Sequence, residues 1–119
     1  MFMSIHIGQF PDYRDFLKEK FLFEKSKKYA FSLQFCADKL NVSKTFVKLV
    51  LDKKRHFSID TIPSLWDLFK LDPKERLYFT FLFCKTISHN ELLKGHFDLI
   101  LQKIQDDAIA IPQIPTPSV

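Results

Sequence analysis

Residues 33–52, LQFCADKLNVSKTFVKLVLD, decide the fold. Cys36, Leu40, Val42, Val47 and Val50 are apolar at spacings that let two short helices pack together. Ala37, four places before Asn41, is small enough for the second helix to cross closely over the first. Asn41 falls where the chain must turn sharply through a left-handed residue, a conformation that Asn tolerates best after Gly. Ser43 can then cap the next helix, while Val42 and Val47 supply the apolar pair of a hydrophobic staple. The stretch reads as a helix-turn-helix, and that motif makes nucleic-acid binding the leading functional expectation.

Charge placement around this stretch agrees. The chain carries a net charge of +4. Residues 43–56 hold Lys44, Lys48, Lys53, Lys54 and Arg55 against Asp52 alone. The flanking segments nearly cancel, with a slight excess of base before and of acid after. A local basic patch on the second helix and the loop after it is what phosphate contact requires. The alternative reading of such a run is a solvated helix face.

Further out, Pro11 and Asp12 open a helix with Tyr13, Phe16, Leu17 and Phe21 on one face. Ser32 caps the helix that ends near Leu40. After the loop Arg55-His56-Phe57-Ser58, a fourth helix is expected near residues 61–70; Pro63 fits only its first turn, which favours Asp60 over Ser58 as cap. Asp72-Pro73-Lys74-Glu75 is a helix start with a cap residue, Pro and Glu in their favoured places. The helix after it is apolar nearly all round. Ser88-His89-Asn90-Glu91 reads as another capping box, before a last helix reaching about Gln105 with Leu93, Phe97, Ile100 and Ile104 on one face. The expected organisation is an irregular lead-in over 1–11, a helix-turn-helix domain over 12–71, C-terminal helices over 72–107, and a flexible tail over 108–119. The fold class is all-α, with five to six helices.

Composition sets outer bounds. A chain of 119 residues makes one domain with a modest core, and its 46% hydrophobic and 27% charged residues describe a globular protein. Fourteen Phe against two Gly call for a thick core or an apolar partner surface, and disfavour sheet-rich folds and phosphate-cradling loops. Cys36 and Cys84 fall in apolar helical contexts and read as free thiols in a reducing cytoplasm. The N-terminus lacks the basic and apolar regions of a signal peptide, and the densest apolar stretch is far too short to span a membrane. A cytoplasmic location is the expectation.

The 33–52 segment resembles the helix-turn-helix of the lambda-repressor-like (Cro/Xre-type) class, through Lys53-Lys54-Arg55, Phe57-Ser58 and the following helix. More narrowly, Tyr13-Arg14-Asp15-Phe16-Leu17, Phe31-Ser32, Lys48-Leu49-Val50, Asp52-Lys53-Lys54-Arg55 and Tyr78-Phe79 are similar to the N-terminal domain of a bacterial family with a longer, uncharacterised C-terminal region. The resemblance implies that Ser43, Lys44, Thr45 and Lys48 face bases in the major groove of double-stranded DNA. It implies that Lys53, Lys54 and Arg55 meet phosphates, with Gln34 touching the backbone from the preceding helix. Such proteins bind as homodimers on paired half-sites.

The chain departs from the class in three ways. Lys53 stands where the class usually has Gly, so a different turn is expected there. Phe46 and Leu49 share a helical face where polar groups are more usual. The helix also offers no Arg or Gln for bidentate base contacts. Exposed Phe46 and Leu49 would favour a second function, a module of helix-turn-helix shape that pairs with a longer relative without reading DNA. Phe79, Phe83, Leu93, Phe97, Ile100 and Ile104 could pack within one chain or form a partner surface. No catalytic constellation can be placed, and His6, His56, His89 and His96 have no metal-ligand spacing with each other or with the cysteines. The chain does not read as an enzyme, and no cofactor is expected.

Overall fold

The computed structural model describes residues 7–107; the tail expected over 108–119 and the first part of the lead-in lie outside them. Among the described residues there are six α-helices and no strand. The rest of the lead-in forms a 3-10 turn at Ile7–Gln9 rather than staying irregular, and Phe10 sets its ring edge-on to Phe16 at 5.7 Å.

Capping residues set the helix starts. Asp12 opens α1 (Tyr13–Lys27) by accepting the Arg14 N–H at 2.7 Å. Ser32 opens α2 (Leu33–Leu40) through the Phe35 N–H at 3.1 Å, and Ser43 opens α3 (Lys44–Leu51) through the Phe46 N–H at 3.0 Å. Between α2 and α3, Asn41 is left-handed at φ 56°, and the Asn41 and Val42 N–H groups donate to Asp38 O and Ala37 O, closing the end of α2.

The end of α3 corrects an expectation. Lys53 adopts φ 64°, and the Lys53 and Lys54 N–H groups donate to Val50 O and Leu49 O, both at 2.9 Å. A left-handed turn of the kind glycine favours is therefore made by a lysine, because the two hydrogen bonds that close the helix fix its geometry.

Two other caps also differ. A 3-10 turn at Ile59–Thr61 precedes α4 (Ile62–Leu68), so Asp60 lies inside that turn instead of capping the helix, and the Ser58 and Thr61 hydroxyls bond each other at 3.0 Å. In α6 (Glu91–Gln105) the cap is Asn90, whose side-chain oxygen accepts the Leu93 N–H; Ser88 instead closes α5 (Pro73–Ile87). The Asp72–Glu75 capping box of α5 forms as expected.

Helix α5 is apolar nearly all round because it packs against α1 and also against α6. Tyr13 and Phe16 of α1 meet Phe79 and Phe83 of α5, with the Tyr13 and Phe83 ring centroids 4.2 Å apart. This cluster continues through Leu17, Cys36, Val50 and Leu65 into the first four helices. Phe79, Phe83 and Ile104 are thus buried within the chain and cannot form the partner surface that the sequence allowed them. Phe97 is half-buried near Phe81, Ile100 packs on the core, and Leu93 is exposed. Both cysteines are free, and burial pushes the Cys36 thiol up to about 11. Among the described residues, no helix is long and apolar enough to cross a membrane.

Candidate nucleic-acid interface

Packing orients α3. Val47, Val50 and Leu51 are buried against the core, and Ala37 of α2 is fully buried. Opposite them, Lys44, Thr45, Lys48 and Asp52 are exposed at helical spacing. The exposed Ser43 stands at the start of this face, and the exposed Lys53, Lys54 and Arg55 continue it past the helix end. Seven of the eight residues assigned to DNA from sequence therefore lie along one helix and its following turn. The eighth, Gln34, is exposed on α2, where its amide donates to Asp38 Oδ1 at 2.8 Å.

Phe46 and Leu49 do not form an exposed apolar pair. Both are half-buried, and Phe46 sets its ring edge-on to Phe57 at 5.6 Å as part of the packing around the core. Leu49 remains at the margin of the polar face.

Acidic groups temper the charge. Lys48 Nζ lies 2.9 Å from Asp52 Oδ2, and Lys53 Nζ lies 3.2 Å from Asp15 Oδ2 of α1. The hydrogen bond from Lys48, with the charges of Lys48, Lys18 and Lys54, holds the Asp52 carboxyl below its usual range, so it stays ionised. Both pairs are solvent-accessible and screened by water and salt, so each contributes little to stability. Lys44, Lys54 and Arg55 have no carboxylate partner among the described residues.

A second set of contacts fixes the basic loop to α1, and sequence reasoning missed it. The Phe57 N–H donates to the Tyr13 hydroxyl oxygen at 3.1 Å, which leaves the hydroxyl proton for His56 Nδ1, also at 3.1 Å. Arg14 donates to Arg55 O at 3.2 Å while its guanidinium pairs with Asp12 at 2.9 Å. Burial opposes the ionisation of Asp12, but the Arg14 hydrogen bonds and charge outweigh it and lower its pKa. Burial first, then the Arg14 charge, push the His56 pKa below 6.5. Burial raises the Tyr13 hydroxyl to about 12, so it remains a donor. These partners are more than forty residues apart in sequence, and no local pattern announces them.

Among the described residues, no group of three or more His, Cys, Asp or Glu is placed to hold a metal ion. The arrangement is a shallow, mostly basic ridge with hydroxyl and ammonium donors, suited to an extended anion. Comparison of the chain with family models, with curated proteins and with solved structures found no match in any of the three.

Proposed function

We propose that the protein is a DNA-binding transcriptional regulator of lambda-repressor-like architecture that lays α3 in the major groove and acts as a dimer on paired half-sites. The observation that carries this reading is the exposed side of α3, where Ser43, Lys44, Thr45 and Lys48 lead into Lys53, Lys54 and Arg55. On DNA, Lys44 and Lys48 can donate to guanine O6 and N7, and Thr45 can touch a thymine methyl. Lys53, Lys54 and Arg55 neutralise phosphates and supply attraction that does not depend on sequence. Gln34 exchanges its Asp38 contact for a backbone phosphate. Occupancy of the site would block or recruit the polymerase.

The alternative is an interaction module that does not read DNA and pairs with a longer relative through its C-terminal helices; an exposed apolar pair at Phe46 and Leu49 would favour it. The packing of Phe46 onto Phe57 weakens it. Fluorescence anisotropy with random duplex DNA, from low to physiological salt, tests the choice. The expected result is binding that weakens steeply with salt and is abolished in Lys44→Ala/Lys48→Ala. Absence of binding at low salt, or binding indifferent to salt, would overturn the DNA reading.

A further inference from the structure

We infer that the cleft between α2 and α4 is a binding site for a small aromatic carboxylate. The cleft encloses about 450 Å³, within the roughly 300–1,000 Å³ of sites that take small organic ligands. Its floor is apolar. Phe31 from the loop after α1, Phe35 of α2 and Leu68 of α4 line it, and the two ring centroids lie 5.4 Å apart. Phe31 is held by Phe21 and Phe69 on its buried side, while Phe35 is half-buried and leaves part of its ring open. Such a floor takes a flat ring by offset or edge contact.

Charge at the rim selects the occupant. Glu24 and Asp67 line the cleft, but each carboxylate has a cation of its own. Lys28 Nζ lies 3.9 Å from Glu24, and the Arg76 guanidinium lies 3.9 Å from Asp67. Lys39 and Lys70 also line the cleft, and neither has a carboxylate partner among the described residues. Lys39 Nζ stands 5.6 Å from the centroid of the Phe35 ring, so one unmatched ammonium is held over the apolar floor. The cleft therefore suits a ligand whose ring lies on the phenylalanines and whose carboxylate accepts charge-assisted hydrogen bonds from Lys39 and Lys70. A neutral ligand would leave both ammoniums unanswered.

Lys70 adds a separate observation. Its φ is 52°, a left-handed backbone that glycine adopts freely and a residue with a Cβ holds at a cost. Glycine would make the same turn after α4, in which the Lys70 N–H donates to Asp67 O and the Leu71 N–H to Trp66 O. What lysine brings to this strained position is an ammonium at the rim of the cleft.

No residue lining the cleft belongs to α3 or the loop after it, so the site stands apart from the DNA reading. Its test uses no DNA. Naphthylacetate is titrated into the full chain and followed by backbone amide NMR, with the neutral naphthylacetamide for comparison. The carboxylate should bind saturably below millimolar concentration, with shifts concentrated at Phe31, Phe35, Lys39, Leu68 and Lys70. The amide should bind at least about tenfold more weakly. Lys39→Gln/Lys70→Gln should lose a similar factor for the carboxylate while keeping the helical circular dichroism of the wild type. Lys103→Gln, at an exposed position on α6, should bind as the wild type does. Four results would each overturn the site: no binding at millimolar carboxylate, shifts centred elsewhere, equal affinity for acid and amide, or an equal effect of the double and the Lys103 substitutions.

Discussion

Asn41, Lys53, Lys70 and Asp107 hold left-handed backbone, and no glycine in the described chain does. A residue with a Cβ sits there at a cost of about 1–2 kcal/mol, partly matched by the greater freedom glycine has in the unfolded chain. Lys70→Gly, at a position with no ion pair, should therefore stabilise the protein by about 0.5–1 kcal/mol, read as a rise in Tm. Lys53→Gly should stabilise it similarly but weaken DNA binding and make its salt dependence shallower by about one phosphate. Equal DNA affinity in Lys53→Gly and wild type would remove Lys53 from the phosphate contacts. Asp52→Asn tests the same face with the opposite sign: freeing Lys48 from its carboxylate should tighten binding, most clearly at low salt. The Asn41 turn was legible because asparagine is chemically suited to it. The lysine turns were not, since lysine has no preference for a left-handed backbone.

Among elements, the join between α1 and the basic loop depends on one hydroxyl. Tyr13 is fully buried, accepts the Phe57 N–H and bonds His56. Tyr13→Phe would leave that buried N–H without a partner and should destabilise the protein by about 1–3 kcal/mol, measured by urea denaturation. The same contact gives stability a pH dependence. With its pKa depressed in the folded state, His56 takes up its proton at lower pH there than in the unfolded chain, which protonates near 6.5. The unfolded state then binds more protons, so stability is full above pH 6.5 and falls as pH drops through that value. The fall should be smaller in His56→Gln; an identical pH profile in the two proteins would show that another group is responsible. Local signals served well within elements, as the caps at Asp12, Ser32, Ser43 and Asp72 show. They failed where one candidate cap competed with another, at Asp60 and at Ser88, because helix register is decided by packing that the sequence does not display.

At the scale of the molecule, the phenylalanines explain why six short helices form one body. The sequence showed that α5 was apolar nearly all round, but not that α1 and α6 would cover it from two directions; that depends on tertiary packing. The basic face was readable as a charge run, whereas Asp15 and Lys18 joined it only through the docking of α1 beside α3. Phe79 lies where these relations meet, touching both Tyr13 and Phe16. Phe79→Ala should cost about 3–5 kcal/mol, a large fraction of the stability of a domain this size. Since Tyr13 also tethers the loop after α3, that loss should not stay in the C-terminal helices. Thermal unfolding followed by Trp66 fluorescence, which reports on α4, should shift down together with the helical signal, and DNA binding should disappear over the same temperatures. A helical transition that moves while the Trp66 transition stays in place would instead make α5 and α6 a separable unit, and the basic face would owe its shape to the first four helices alone.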